Sequence, residues 1–396
     1  MGHRVNPDVL GELQEFGAVN VEACFNCGNC TAVCPLTTED ENFPRKMIRY
    51  AQVGMADKLL GSKELWLCYN CGECSETCPR QADPSTFMMA ARCYAVTHYD
   101  VFKFGSFLCK RPLIGSLLVV LLGIVLALFM YTQTEPVAND SLRLFEYLPY
   151  EIVHDFGLAV IVIIALAGIA GIFNMLRRLN KANDLTWGSF FKTPVKEWIS
   201  ALWKAIVVEA LGQKRYRTEF QERDEYPWFL KRWFVHATAM WGFLGLGLAT
   251  ALNYLLDIIG TKPTGTFVPI WYPIRLLGTV SGLVFLYGVS ILMYRRWKKE
   301  GKAHSNSRAA DWMFLWLLWL AGFTGFLVEI SLYLPAALWG RWMLLAHVGV
   351  SMELVLLLPF TKFAHAIYRT AALFVHELNP VREEELSVAA AAAAAD

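Results

Sequence analysis

The chain has 396 residues, 55% of them hydrophobic and 14% aromatic, with a formal net charge of +1. A chain this apolar, with a positive mean hydropathy, excludes an ordinary soluble or disordered protein and places it among membrane proteins. The near-zero charge argues neither for nor against nucleic acid; lipid and protein are the expected neighbours, and no nucleic-acid partner is expected. Eight of the 10 cysteines precede residue 79, and no secretory signal peptide is expected. In a reducing compartment, thiols clustered in this way read as metal ligands and not as disulfides.

Residues 1–100 carry an internal repeat. Cys24-Phe-Asn-Cys27-Gly-Asn-Cys30-Thr-Ala-Val-Cys34-Pro35 returns 44 residues later as Cys68-Tyr-Asn-Cys71-Gly-Glu-Cys74-Ser-Glu-Thr-Cys78-Pro79. Both are C-x2-C-x2-C-x3-C-P, the bacterial ferredoxin run. Three thiolates on one tight loop cover one face of an iron–sulfur cube. The fourth is held too far along to complete it, and in two-cluster ferredoxins it serves the other cluster. One [4Fe–4S] cluster is therefore assigned to Cys24, Cys27, Cys30 and Cys78, and a second to Cys68, Cys71, Cys74 and Cys34. Zinc sites pair two C-x2-C hooks and do not use three-cysteine runs. Residues 44–60 have helical spacing, and 84–98 open on Pro84 at a helix start, so the domain reads as a helical dicluster ferredoxin. Cys93 and Cys109, outside both motifs, read as free core thiols.

Residues 101–111 read as a linker ending in Lys110-Arg111, and 112–376 as a six-span membrane domain. The apolar runs are Leu113–Tyr131, Ile152–Leu176, Trp233–Leu256, Pro273–Tyr294, Trp312–Leu334 and Ala337–Arg369. The loop 177–232 holds 12 Lys and Arg and the loop 295–310 holds six, whereas 133–151 has only Arg143 against four acids. Basic loops stay inside. The expected location is thus the cytoplasmic (inner) membrane, with both termini and the iron–sulfur domain on the cytoplasmic side. Residues 194–211 read as an amphipathic helix at the inner interface, with Val195, Trp198, Ile199, Leu202, Ile206, Val207 and Leu211 on one stripe. An ordinary loop helix is the alternative. Residues 377–396 form a tail ending in an alanine run to which no function is assigned.

His347 and His365 lie 18 residues apart in the last apolar run. If that run is one helix, both rings leave the same face about 27 Å apart, near the thickness of a hydrocarbon core. Depth counted from the basic anchors supplies partners. His365 lies four residues before Arg369, and His236 four residues after Arg232. His347 lies 22 residues from Arg369, and His154 lies 23 from Arg177. These level pairs predict an inner haem b held by His236 and His365 and an outer haem b held by His154 and His347. Paired neutral imidazoles fill both axial positions and leave no open site, which suits electron transfer. The plainer alternatives are interhelical hydrogen-bonding histidines, and for His154 a capping role. Glu353, near the bilayer centre, reads as a neutral hydrogen-bonded acid, since an ionised one costs roughly 2.5–3.5 kcal/mol there. Gly278 and Gly282 are spaced to let helices approach closely.

On FVHATAMWGF around His236, WYPI at 271–274, and His347 and His365 with FTKFAHAI, the last five spans resemble the nitrate reductase gamma-subunit family of cytochromes b. That family carries a second histidine ten residues beyond the position of His236. Leu246 stands there, leaving His154 to supply the outer ligand. The first hundred residues resemble the HdrC iron–sulfur subunits of heterodisulfide reductases. The two halves in one chain resemble the membrane subunits of quinone-interacting membrane-bound oxidoreductase (Qmo) complexes. The fold implied is all-α, a helical dicluster [4Fe–4S] ferredoxin domain followed by a six-helix transmembrane cytochrome b bundle.

The resemblance implies two cytoplasmic HdrA-like flavoprotein/iron–sulfur partners and, beyond them, adenylylsulfate (APS) reductase of sulfur metabolism. The function expected is electron transfer between menaquinol/menaquinone and those partners through two haems b and two [4Fe–4S] clusters. Candidate quinone-site residues are Tyr272, Arg275, Lys262 and Glu329, each of which also reads as an interfacial anchor. Two alternatives are the membrane arm of a heterodisulfide reductase and an electron-transfer-flavoprotein:quinone oxidoreductase. An iron–sulfur-regulated transporter or sensor is a third, from a different class. No Rossmann glycine fingerprint is present for a flavin of the chain's own.

Overall fold

The computed structural model describes residues 5–38, 42–136, 144–183, 185–218, 226–260, 268–334 and 337–378. Among the described residues the chain is helical, with no strand. The ferredoxin domain is built on α1 (Val9–Glu15), α2 (Arg45–Gln52) and α3 (Pro84–Tyr99). Asp83 caps α3 by accepting from the Thr86 N–H at 3.3 Å, and Pro84 fills the first turn, where its missing N–H costs nothing. The helical stretch expected over 44–60 is two helices, α2 and Ala56–Leu60. They part at Gly54, whose φ of +72° is open to glycine and strained for other residues. Val9, Leu13, Met47, Ile48, Phe87 and Tyr94 close a core between these helices. The linker is itself helical over Phe104–Lys110.

The remaining long helices are α4 (Pro112–Thr132), α5 (Tyr150–Ala182), α6 (Val195–Trp203), α7 (Arg232–Ile259), α8 (Pro273–Trp297), α9 (Ala309–Ser331) and α10 (Ala337–Leu356). Five of them, α4, α5, α7, α8 and α9, are long and apolar enough to cross a membrane, so the chain is a multi-pass membrane protein. α7 and α8 approach each other closely. A Cβ at Gly242 would lie 2.5 Å from the Phe285 amide nitrogen, and one at Gly288 2.5 Å from that of Ala239. Backbones touching in this way are how small residues bind helices in lipid. The expectation for Gly278 is corrected, because a Cβ there would meet Ala249 at an ordinary 3.7 Å.

The last apolar run is not one helix. α10 ends at Leu356, residues 357–364 turn, and a new helix begins at His365 and runs to 378. Pro359 accounts for the break, since it has no N–H to give and its ring clashes with the carbonyl four residues back. Thr361 then starts the new turn by accepting from the Phe363 N–H. The inference that His347 and His365 share one helix face therefore fails.

The ferredoxin domain shares its core with the membrane domain. Met175 and Leu179 of α5, Ala364 of the turn before the last helix, and Tyr368, Ala372 and Val375 of that helix bury themselves among its side chains. Trp66, Tyr99 and Tyr368 meet ring to ring at 5.1–6.1 Å, and Asn174 donates to the Tyr99 carbonyl at 3.1 Å. A Cβ on Gly61 would stand 2.2 Å from that of Ala182, so only glycine permits this approach. α6 continues as a wider π-turned helix over Lys204–Leu211. Its Ala205 packs on Leu67 and Leu373, while Trp198 packs near Phe190 and Phe374. Of the rest of the expected apolar stripe, Val195, Ile199, Leu202 and Ile206 face outward, while Val207 and Leu211 are half-buried.

Candidate functional site

The two cysteine loops have the same backbone. Asn26 and Asn70 have φ of +61° and +55°, and Gly28 and Gly72 have φ of +88° and +95°. These left-handed residues curl each loop so that successive cysteines point inward, and each is followed by a single helical turn, Asn29–Ala32 and Glu73–Glu76. The repeated Asn-Cys-Gly was visible in the sequence, but its conformational role was missed there.

None of the 10 cysteines forms a disulfide. Burial pushes the Cys30 thiol up to about 11, and Cys24, Cys27 and Cys78 beside it push the same way. Burial likewise pushes Cys34 up to about 12, with Cys68 and Cys71 its nearest thiol neighbours. Cys74 is raised by burial and then by Cys68 and Cys71. Cys34, Cys68, Cys71 and Cys74 line one cavity walled by Val33, Leu36, Phe43 and Met88. Among the described residues no three metal-binding side chains close on a single ion. Thiols gathered in fours but held apart suit the wider cube of an iron–sulfur cluster. N–H groups of Asn70 and Ala82 point at the sulfurs of Cys68 and Cys78 at 3.3 and 3.4 Å, the kind of bond that tunes such a cluster.

The two sets differ in setting. Cys27 is exposed, and Phe25 beside it is 61% exposed, so the first loop faces solution. The second loop faces the membrane domain, where Arg232 and Arg369, together with Arg92 of α3, grip its backbone. Arg369 Nη1 donates to the carbonyls of Trp66, Leu67 and Cys68 at 2.6, 3.2 and 3.2 Å. Arg232 Nη1 donates to the Cys71 carbonyl at 2.9 Å, and Arg92 bonds the carbonyls of Leu65 and Cys68.

Two of those arginines, Arg232 and Arg369, stand one helical turn from two of the histidines. His236 and His365 face each other with ring centres 6.4 Å apart and planes at 62°. Two imidazoles bound to one iron at about 2 Å per bond place their ring centres roughly 6 Å apart, so the pair fits a bis-imidazole haem. His365 Nδ1 lies 2.9 Å from the Lys362 carbonyl, which leaves Nε2 for a metal. His236 Nδ1 is buried with no hydrogen-bond partner. Tyr69, from the second cysteine loop, stacks on Tyr216 at 5.6 Å, and Tyr216 meets His236 edge-on at 5.8 Å.

The outer pair is arranged differently. His154 stacks on Tyr254 of α7 at 4.5 Å and bonds Asp155, whereas His347 turns to Thr324 of α9 at 3.1 Å. The two rings address different neighbours. Of the quinone-site candidates, Arg275 and Glu329 meet at 3.4 Å and Thr279 donates to Glu329 at 3.0 Å. Tyr272 caps the start of α8 beside them, and Lys262 lies outside the described residues.

Comparison with known proteins matches two families to different parts of the chain. A 4Fe–4S dicluster domain family matches residues 20–82, and the citrate utilization protein B family matches residues 108–385. The chain belongs to the citrate utilization protein B family. The citrate utilization protein B of Escherichia coli is 30% identical over 177 residues, 42% of this chain and 43% of that protein. The iron–sulfur subunit (HdrC) of the CoB–CoM heterodisulfide reductase of Methanopyrus kandleri is 36% identical over 71 residues, 16% of this chain and 37% of that protein. The corresponding subunit of the H2:CoB–CoM heterodisulfide,ferredoxin reductase from Methanothermobacter thermautotrophicus is 37% identical over 63 residues, 16% of this chain and 34% of that protein. The chain thus spans less than half the length of each of these relatives. No solved structure matches it. The front of this family member is an HdrC-like dicluster domain for two 4Fe–4S clusters.

Proposed function

We propose that this protein carries electrons between a quinone in the membrane, menaquinol/menaquinone, and a soluble redox partner. The observation that carries this reading is the facing of His236 and His365 one turn from Arg232 and Arg369, which hold the second cysteine loop. Bound haem b and the two clusters supply one-electron carriers; everything else falls to the chain. His236 and His365 would hold the haem. Cys68, Cys71, Cys74 and Cys34 would hold one cluster, and Cys24, Cys27, Cys30 and Cys78 the other. Glu329, fixed by Arg275 and Thr279, accepts a proton from a quinol hydroxyl at the far end of the bundle. The divergent rings of His154 and His347 limit the proposal to one haem, at the inner pair.

The soluble end has two readings. The Qmo resemblance favours HdrA-like flavoproteins leading to adenylylsulfate reductase, and the family match over residues 108–385 favours a partner in citrate utilization. Copurification from the native membrane separates them by the subunits recovered. The electron path itself is tested by adding menaquinol to oxidised protein in detergent. Reduction of both haem and iron–sulfur absorption is expected, slowed by Glu329→Gln. Reduction of neither would end the proposal.

A further inference from the structure

Cys93 and Cys109 are not isolated core thiols. Cys93 on α3 and Cys109 on the Phe104–Lys110 helix lie close enough for each thiol to shift the proton affinity of the other. Both line one cavity at the seam between the ferredoxin domain and the spans. Cys109 is buried, while Cys93 is partly exposed. The cavity is also lined by Arg296, Arg308 and Lys362 against a single carboxylate, Asp311, so its charge is net positive. Asp311 is already bonded to Lys362 and lies 3.4 Å from Arg296. Cys109 beside it, and then Lys362 and Arg308, hold the Cys93 thiol below its ordinary value against the opposing effect of burial. A half-buried thiol among cations, with a second thiol lining the same cavity, has the setting of reactive cysteines and not of inert ones.

We propose that Cys93 and Cys109 form a thiol–disulfide exchange site whose substrate class is a small anionic disulfide. The Cys93 thiolate attacks one sulfur of the disulfide, forming a mixed disulfide and releasing one thiolate. Cys109 then gives up its proton and attacks the Cys93 sulfur, closing the Cys93–Cys109 bond and releasing the second thiol. The protein loses two electrons and two protons, and the disulfide is reduced to two thiols. The cations recruit the anionic substrate, and the product bond ties α3 to the helix that leads into α4. The site adjoins the proposed haem path at Lys362, whose carbonyl bonds His365, but its exchange step uses neither haem nor quinone.

The test is incubation of the full-length protein, clusters intact and in detergent, with oxidised glutathione, followed by alkylation and peptide mass mapping. A linked Cys93–Cys109 peptide is expected. Cys109→Ser should accumulate a glutathionylated Cys93, and Cys93→Ser should give neither product, with cluster absorption unchanged in both. Oxidised glutathione should react faster than the neutral 2-hydroxyethyl disulfide, and Arg308→Gln should reduce that preference about fivefold. A Cys93 that stays fully alkylatable in the wild type, equal labelling of Cys93→Ser, or no preference for the anionic reagent would each overturn the proposal.

Discussion

Arg232 donates to the Cys71 carbonyl at 2.9 Å from one helical turn before His236. Arg369 grips Cys68 in the same way from one turn beyond His365. A cationic donor to a backbone carbonyl contributes about 1.5–3 kcal/mol. Arg369→Met, which removes three such contacts, is expected to lower stability by about 2–3 kcal/mol. It should also alter the electron paramagnetic resonance signal of one reduced cluster while leaving the other unchanged. Equal change in both signals would show that the arginine does not act on the second loop alone.

The seat between the domains is steric more than ionic. Gly61→Val forces atoms into a gap where a Cβ already meets Ala182 at 2.2 Å and the Arg178 carbonyl at 2.7 Å, and should cost about 1–3 kcal/mol. Asp57 pairs with Lys181 at 2.8 Å a few residues away, but both side chains are well exposed. Asp57→Asn should therefore cost under about 1 kcal/mol. Thermal unfolding of the two variants checks the order, and a larger loss from Asp57→Asn would reverse it.

Removing iron exposes the raised thiols. Cys30 and Cys34 sit at about 11 and about 12 against an ordinary 9.0, so the folded iron-free protein holds their protons more tightly than the unfolded chain does. That contribution to stability is complete below pH 9.0 and is lost as pH rises through 11 and 12. Denaturation of the iron-free protein from neutral to alkaline pH measures it. Cluster assembly must expel the same protons, so reconstitution should release acid and weaken as pH falls.

Exposure predicts the order of cluster loss. The set containing the exposed Cys27 should yield iron to a chelator first, and the set beneath Arg369 later. The resonance signals followed during chelation should decay in two phases, with the signal sensitive to Arg369→Met decaying second.

Much of this was legible in sequence because the governing signals are local. The cysteine spacing announces a dicluster domain, hydropathy announces α4, α5, α7, α8 and α9, and depth counted from Arg232 and Arg369 pairs His236 with His365. What was lost depended on single residues or on long-range approach. Pro359 breaks a run whose apolar pattern reads through it, so His347 does not share a face with His365. Cys93 and Cys109 meet through the angle between two helices, and the Arg369 contacts join residues some 300 apart in sequence. Neither carries a spacing rule.

The central claim, a haem gripped by His236 and His365 against the second cysteine loop, is tested most directly by haem content per polypeptide. The wild type should contain one haem b. His236→Ala and His365→Ala should each contain none, with the iron–sulfur absorption intact. Wild-type protein without haem, or variants that keep it, would contradict the account.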